Sequence, residues 1–332
     1  SGGMIGTFLS RGKARGIGFA GLVSVGNEVD LSIGEICAAT LDDPGIDGYL
    51  LFLESLRHGD ALRAFALEAA ARGKPVIAYK LGRSAAAAEM ATTHTGALAG
   101  EDDVADAFFR DLGIARVNVL EALLETYPLA RRVPLAPAGS APRRVGVVTT
   151  TGGGAAMAVD QLGIRDVVVQ PPSAETLQRL AAAGLPASPG RVLDQTLAGA
   201  KYDVMKAALD ILLAAPEFDL ILAVVGSSAR YQPQLAVQPI IDCAASERPL
   251  AAMLVPDAPE ALARLTAAGI PCFRSPEACG DAIAAVLARR APTAQARVER
   301  RTDAVGQALS EADAYGVLDH LGVPHAPVVA AP

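Results

Sequence analysis

Residues 46–54 read Ile-Asp-Gly-Tyr-Leu-Leu-Phe-Leu-Glu, and residues 218–226 read Phe-Asp-Leu-Ile-Leu-Ala-Val-Val-Gly. Each stretch is an apolar run of strand length, and such uninterrupted runs are typical of strands buried on both faces of a parallel sheet. A further apolar run follows each of them after a helical pattern, at residues 75–80 and 248–253. Strands that alternate with helices of about a dozen residues predict an α/β fold of doubly wound parallel sheets.

The same order of elements occurs twice along the chain. A glycine-rich turn opens a helical pattern at residues 1–3, Ser-Gly-Gly, and again at residues 151–154, Thr-Gly-Gly-Gly. We therefore predict two copies of one flavodoxin-like unit. The first copy has no counterpart of the strand predicted at residues 144–149, and the second has no counterpart of the loop at residues 91–100.

The length of 332 residues is enough for two domains of about 150 residues each. A proline-rich stretch, Val-Pro-Leu-Ala-Pro-Ala-Gly-Ser-Ala-Pro, predicts the boundary between them. The predicted organisation is a first domain at residues 1–132, a linker at 133–142, a second domain at 143–290, and a polar linker with a short amphipathic helix at 291–332. Within the first domain we predict a strand over 16–25 and helices over 31–41, 60–72 and 102–112.

Composition excludes several classes of function. The formal net charge of -7 argues against a nucleic-acid footprint, which needs a basic patch. No apolar run approaches the roughly 18 residues of a membrane helix, so no membrane role is predicted. Few aromatic side chains are present to sandwich a flavin ring, and the four cysteines show neither metal-ligand nor disulfide spacing. We expect a protein of the reducing cytoplasm, without a metal site or prosthetic group.

One loop combines a histidine with very small neighbours. Residues 91–100 read Ala-Thr-Thr-His-Thr-Gly-Ala-Leu-Ala-Gly, so an anion can approach the backbone and the loop can move. A single loop histidine is also typical of an ordinary surface residue. The loop resembles the Ser-His-Thr-Gly-Ala-Leu-Ala-Gly type loop of the NDP-forming acyl-CoA synthetases, the superfamily of succinyl-CoA ligase and ADP-forming acetyl-CoA synthetase. Thr93 stands in place of the serine, and the histidine, His94, is retained.

The resemblance implies an ADP-forming acid–CoA ligase, an enzyme that converts a carboxylic acid, CoA and ATP to acyl-CoA, ADP and phosphate. The reaction would pass through an acyl-phosphate and a phosphohistidine at His94. The alternative is a protein acyltransferase or acyl-CoA sensing module on the same scaffold, in which His94 is unused. Neither the acid nor the choice between ATP and GTP follows from the sequence.

A histidine nucleophile must be neutral and held in one orientation, which a carboxylate on its other ring nitrogen achieves. Glu54 ends an apolar strand and matches the strand-ending glutamate of the family, although a solvated carboxylate at a turn would look the same. The two glycine turns resemble the paired helix starts that cradle phosphate in succinyl-CoA ligase; alternatively, they are plain strand-to-helix turns. The predicted phosphate-binding residues are Ser1, Gly2, Gly3, Thr151, Gly152, Gly153 and Gly154.

Two further residues are candidates for the acyl-phosphate or CoA end of the site. Asn27 lies in Gly-Asn-Glu-Val-Asp, which resembles the Ser-x-Gly-Asn loop of the family, and it is equally suited to a left-handed turn. Lys80 and Arg83 follow the strand at residues 75–80 and could screen phosphate charge, or form a solvated pair. Asp194-Gln195 stands where relatives have Asn-Pro-Val-Asp, a departure that weakens any role transferred to that turn.

The resemblance also implies partners. CoA and ATP or ADP with Mg are expected as substrates that bind mostly outside this chain. We expect a CoA-binding Rossmann domain upstream of Ser1 and an ATP-grasp domain, each in the same or a partner chain. Residues 309–324 resemble the first helix of such an ATP-grasp domain. An oligomeric assembly is expected. The chain would then be a central fragment of the enzyme and inactive alone.

Overall fold

The computed structural model describes residues 2–84, 86–87, 102–292 and 309–324. They fall into two units, residues 1–293 and residues 294–332. The first unit holds all the sheets described below, and the second holds one described helix. The helices are α1 (Gly2–Lys13), α2 (Ile33–Ala38), α3 (Gly59–Ala71), α4 (Asp102–Asp111), α5 (Leu120–Glu125), α6 (Tyr127–Arg132), α7 (Gly152–Gly163), α8 (Ala174–Ala182), α9 (Tyr202–Leu213), α10 (Ser228–Tyr231), α11 (Pro233–Ile241), α12 (Pro259–Ala267), α13 (Pro276–Ala288) and, in the second unit, α14 (Glu311–His320).

The first described sheet has three parallel strands in the order β1-β2-β3. The strands are β1 (Tyr49–Leu53), β2 (Val76–Lys80) and β3 (Ala115–Val117). The register pairs Tyr49 with Val76 and Leu53 with Lys80, so Lys80 and the residue after Leu53 reach the same carboxyl edge. Parallel strands and crossover helices confirm the predicted α/β class for this half.

The second described sheet has six parallel strands in the order β5-β4-β7-β8-β9, with β6 also pairing with β4. They are β4 (Arg144–Thr149), β5 (Val168–Val169), β6 (Val192–Asp194), β7 (Leu220–Val225), β8 (Leu250–Leu254) and β9 (Cys272–Phe273). A 3-10 turn at Thr196–Ala200 follows β6. Every residue of β7 and β8 is buried, as the continuous apolar runs predict.

A single hydrophobic cluster joins the two sheets. It contains Ile77 and Val117 of the first sheet, Leu222 and Met253 of the second, and Leu123, Leu129, Leu162, Ile283 and Val286 of the helices α5, α6, α7 and α13. Separate clusters fill the outer faces, around Phe65 and Phe109 on the first sheet and around Phe218 and Leu265 on the second. The four helices α5, α6, α7 and α13 therefore form a layer shared by both sheets.

Two buried polar side chains fix helix ends within this shared layer. Asp281 of α13 is 2% exposed and accepts hydrogen bonds from the backbone N–H groups of Asn118 and Val119, at 2.6 and 2.8 Å. It thereby caps the start of α5, whose first amides have no intrahelical acceptors. Arg289, 4% exposed, donates to the carbonyl oxygens of Ala130 and Val133 at the end of α6.

The strand predicted over residues 16–25 is wrong, since these residues form a turn and an extended segment without strand pairing. A strand needs a hydrogen-bonding neighbour, and in the described part of the first sheet β1 pairs only with β2. In the second sheet the corresponding place is taken by β4, which lies between β7 on one side and β5 and β6 on the other. A pattern of apolar residues within one segment does not show whether a neighbouring strand is present to pair with it.

The remaining predicted elements lie near their expected bounds. The helices predicted over 31–41, 60–72 and 102–112 are α2, α3 and α4, and the predicted strand at 75–80 is β2. Among the described residues, no helix is both long enough and apolar enough to cross a membrane.

Candidate functional site

The glycine-rich turn at residues 151–154 leads from β4 into α7. Thr149 Oγ1 accepts the N–H of Thr151 at 2.9 Å and donates to the carbonyl oxygen of Val224 at 3.0 Å. Thr150 Oγ1 accepts the N–H of Gly226 at 3.0 Å. The turn is therefore attached to β7 and the residues that follow it, at the carboxyl edge of the sheet, where ligands bind in doubly wound folds.

The first turn of α7 leaves its backbone accessible. Gly152 and Gly153 are exposed, and Thr151, the N-cap, makes no side-chain capping hydrogen bond. Gly154 is buried, and a Cβ there would lie 2.4 Å from Val255 Cγ2. The first amides of a helix have no intrahelical acceptor and carry the positive end of its dipole, so this turn is suited to an anion.

A carboxylate stands beside this turn that the sequence analysis did not place there. Asp194 Oδ2 would lie 3.1 Å from a Cβ on Gly152, and its Oδ1 accepts the N–H of Thr196 at 2.8 Å. The pairing of Thr149 with Asp194 brings β6 to the edge of the site. The signal in the sequence was the position of Asp194 at the end of a short apolar run, which is visible only when the pairing of β6 is known.

At the carboxyl edge of the first sheet, Lys80 is almost wholly buried, with 3% of its surface exposed. Its Nζ donates to the carbonyl oxygen of Leu81 at 3.0 Å. Burial lowers the pKa of Lys80, and the nearby Arg116 lowers it further, whereas Asp102 opposes the shift. The solvated alternative is therefore wrong for Lys80, while Arg83 is exposed.

Glu54 is half-buried and follows Leu53, the strand partner of Lys80. The structure thus brings Glu54 and Lys80 to adjacent strand ends of one sheet. Both lie near the first residues after the strands, the usual position of catalytic side chains in such sheets.

Asn27 is exposed in the loop before α2. Its carbonyl oxygen accepts a hydrogen bond from Arg57 Nη1 at 3.2 Å, and the carbonyl oxygen of Glu28 lies 2.9 Å from His58 Nε2. These contacts attach the loop to the segment after β1. The left-handed position in this loop is Glu28, with a φ of 53°, rather than Asn27.

The remaining predicted site residues are only partly described. Gly2 and Gly3 are exposed at the start of α1. Ser1 and His94 lie outside the described residues. The arrangement of His94, Glu54 and the two glycine turns around one phosphate therefore stays a prediction.

The histidines and cysteines in the described part of the chain offer less support for a functional site. No group of three or more His, Cys, Asp or Glu residues there could hold a metal ion. His58 and His320 are exposed, and Cys243 and Cys279 are buried, whereas His325 is not described. Burial raises the pKa of Cys243 to about 11.

A groove of about 670 Å³ lies at the opposite edge of the second sheet, where β7 and β8 begin. Its lining includes the carboxylates of Asp210, Asp219, Asp242 and Glu247, with Arg248 as the basic residue. An excess of carboxylates disfavours phosphate and CoA. The glycine turn at the start of α7, beside which the Asp194 carboxylate is the acidic group described above, is therefore the better anion site of the two.

Parts of the chain are similar to known acid–CoA ligases. Residues 1–130 match the family model described as the succinyl-CoA ligase like flavodoxin domain. The ADP-forming acetate–CoA ligase of Methanocaldococcus jannaschii is 31% identical over 160 residues, which cover 48% of this chain and 22% of that protein. Subunit alpha of the ADP-forming acetate–CoA ligase II of Pyrococcus furiosus is 27% identical over 208 residues, 63% of this chain and 44% of the subunit.

The fold agrees with that relationship. The structure of dinucleotide forming acetyl-coenzyme A synthetase 1 of Ca. Korarchaeum cryptofilum in complex with phosphate and ADP matches with a TM-score of 0.67 at 24% identity. The match covers 86% of this chain and 61% of that one. Over part of its length the chain is similar to ADP-forming acetate–CoA ligases, and its alignments span less than half of the two curated relatives named above.

Proposed function

We propose that the chain is the phosphoryl-transfer part of an NDP-forming acid–CoA ligase. The observation that supports this most directly is the family match over residues 1–130, which includes the histidine loop and the edge with Glu54 and Lys80. The exposed glycine start of α7 supplies a second feature suited to phosphate. Glu54 and Lys80 lie at the carboxyl edge of the first sheet, and the start of α7 lies at the carboxyl edge of the second, where doubly wound folds bind ligands.

In the proposed reaction, His94 attacks the terminal phosphorus of ATP and ADP leaves. The phosphoryl group then passes from the histidine to the carboxylate of the acid, which forms an acyl-phosphate. The CoA thiol attacks the acyl carbon, and inorganic phosphate leaves. Staging through phosphohistidine divides the exchange into displacements that each have their own geometry.

The candidate site residues have the following roles in this scheme. Glu54 accepts a hydrogen bond from the N–H of one ring nitrogen of His94, so the other ring nitrogen keeps its lone pair for the attack. The first amides of α1 and α7 bind the phosphoryl oxygens, since hydrogen bonds to a charged acceptor contribute about 1.5–3 kcal/mol each. Lys80 supplies a buried positive charge at the same edge as Glu54, and Asn27 borders the acyl-phosphate.

The whole enzyme requires parts that this chain does not supply. CoA and a nucleotide with Mg²⁺ would bind to a Rossmann domain and an ATP-grasp domain in the same or a partner chain. We propose the same domain organisation as above, with residues 1–132 and 143–290 as the two flavodoxin-like domains. The complete assembly would contain several domains or subunits.

The test is phosphorylation of the complete protein by ATP labelled at the γ-phosphate. The expected product is a phosphoprotein whose label is labile to acid and stable to base, and which is not formed by His94→Asn. Label of another stability, or label that persists in His94→Asn, would contradict the proposal. Acyl transfer to a protein without any phosphohistidine would favour the acyltransferase alternative.

The acid can be identified once labelling is seen. CoA consumption by the complete protein is measured with a panel that includes acetate, branched and dicarboxylic acids and a hydroxycinnamate. The active acid should also discharge the labelled His94, because the phosphoryl group passes to its carboxylate. An acid that consumes CoA without discharging the label would contradict the proposed order of steps.

A further inference from the structure

A buried ion-pair cluster connects the first helix to both halves of the first unit. Glu125, at the end of α5, has a side chain that is only 2% exposed. Its Oε1 accepts hydrogen bonds from Arg15 Nε at 2.8 Å and from Arg274 Nη1 at 3.0 Å. Arg274 follows β9 of the second sheet, and its Nη2 donates to the carbonyl oxygen of Ala14 at 3.1 Å.

The turn after α1 also lies close to a helix of the second sheet. Gly16, three residues after the end of α1, has a φ of +67°, and a Cβ there would lie 2.9 Å from Thr266 Cγ2 of α12. Arg15 and Gly16 are therefore held between α5 and the second sheet. A residue other than glycine at this position would meet both an unfavourable backbone conformation and a close contact.

α1 buries fewer of its residues than α7 does. Of its residues Gly2–Lys13, only Gly12 is buried, whereas α7 buries Gly154, Ala155, Ala158 and Leu162. The ring of Phe8 packs edge-on against Phe52 with centroids 5.5 Å apart. Arg11 pairs with Glu121 one turn before Glu125, but both side chains are exposed, and exposed pairs hold a helix only weakly.

We propose that Glu125 is a positioning residue that sets the orientation of α1 and hence the place of its glycine start, Gly2 and Gly3. A helix of twelve residues is about 18 Å long, so a tilt of about 5° at Arg15 moves Gly2 by about 1.6 Å. Binding sites require a placement within about 0.5 Å. Because Arg274 ties the same carboxylate to the second sheet, Glu125 also sets the distance between the starts of α1 and α7. This inference rests on the proposed phosphate role of the two helix starts.

The experiment uses the complete protein and compares Glu125→Gln with Glu121→Gln. The second variant is a matched control, since it removes the exposed ion pair between the same two helices. Two quantities are measured: amide hydrogen exchange in α1 and α7, and the Kd for inorganic phosphate by calorimetry. The Kd for ADP serves as a binding control.

In Glu125→Gln we expect exchange in α1 to rise by about tenfold or more while exchange in α7 changes little, because opening becomes local. The Kd for phosphate should rise by about tenfold and the Kd for ADP should stay within about twofold. Glu121→Gln should stay near wild type in both. Unchanged exchange in α1, or an equal loss of phosphate and ADP binding, overturns the inference.

If Glu125→Gln does not fold, the variant Arg274→Gln takes its place in the experiment. It keeps the ion pair between Arg15 and Glu125 and removes the one between Arg274 and Glu125. It should reproduce the raised Kd for phosphate, and Arg274→Lys should restore part of it, since a cation remains. Equal effects of the two Arg274 variants would count against the ion pair as the cause. A wild-type protein that binds no phosphate overturns the proposed function instead, and the exchange data alone then decide whether Glu125 holds α1.

Discussion

Gly154 lies against Val255, at the end of β8, so closely that a Cβ on Gly154 would be 2.4 Å from Val255 Cγ2 and 2.8 Å from Thr151 Cγ2. The close approach places the start of α7 against the carboxyl edge of the sheet. Gly153, one residue earlier, is exposed and has nothing within 4 Å of a Cβ. The two glycines therefore differ in what a methyl group would meet.

We expect Gly154→Ala to destabilise the protein by about 1–3 kcal/mol, because the added methyl group must displace packed neighbours. Gly153→Ala should be neutral or stabilise by up to about 1 kcal/mol, because alanine favours a helix. Urea unfolding of both variants measures the difference in the free energy of unfolding. Equal free energies for the two variants would show that α7 can shift away from Val255 at no cost.

Replacement of Lys80 tests whether this lysine contributes to folding stability or to phosphoryl transfer. Lys80→Met should leave the free energy of unfolding equal or raise it, because burial disfavours the ammonium and lowers its pKa. If Lys80 stabilises phosphoryl charge, labelling of His94 should slow by about 100-fold.

The control is Lys74→Met. Lys74 Nζ donates to the carbonyl oxygens of Leu41 and Asp43, at 2.7 and 3.0 Å. That variant should lose stability by about 1–3 kcal/mol and keep the labelling rate. Normal labelling in Lys80→Met would remove Lys80 from the proposed site.

Glu217 should make stability depend on pH in the acid range. Burial alone would raise the pKa of Glu217, but hydrogen bonds from Ser173 N–H and the Thr176 hydroxyl, both 2.7 Å, outweigh it and the pKa lies below its ordinary value. The unfolded chain therefore binds the proton first, so this contribution is present above the ordinary glutamate pKa and is lost as the pH falls through the folded value.

Urea unfolding between pH 6 and pH 3 should show Glu217→Gln less stable than wild type by about 2 kcal/mol at pH 6, with the gap closing toward pH 3. The exposed Glu247→Gln should run parallel to wild type. A gap for Glu217→Gln that is constant across this range would mean that the carboxylate is not the stabilising form.

Cys37 should be a poor nucleophile although it is only half-buried. Burial raises the pKa of Cys37 to about 12. Compared with a thiol of pKa near 9, its thiolate fraction at pH 7.5 is lower by about 1000-fold, and the thiolate is the reactive form. Mass spectrometry after iodoacetamide treatment should find Cys37 unmodified in the folded protein and modified in urea. Rapid modification without urea would contradict the burial of the thiol.

Elements with a strong local pattern were predictable from the sequence. The runs at residues 46–54 and 218–226 contain the strands β1 and β7, and α3 and α4 lie within a residue or two of their expected bounds. Burial on both faces and helical spacing are patterns of consecutive residues, so the sequence shows them directly. The prediction of a strand over residues 16–25 was wrong because strand formation depends on a neighbouring strand, which a local sequence pattern does not show.

The candidate site was predictable only in part. The order of strands and helices is enough to place Glu54 and Lys80 at the carboxyl ends of two strands, and the strand register puts those two ends side by side. The burial of Lys80, the carboxylate of Asp194 beside Gly152 and the contacts of Glu125 depend on residues far away in the chain. Arg15 and Glu125 are separated by 110 positions, and no local pattern links them.

The helix layer shared by the two sheets limits how such a chain could be recombined. Because Ile77 and Val117 belong to the same apolar cluster as Leu222 and Ile283, neither half carries a complete interior of its own. Crossing over with a homologue at the proline-rich stretch would join two surfaces that did not evolve together. Chimeras made there should melt at lower temperatures than either parent unless the residues of that layer are exchanged as one block.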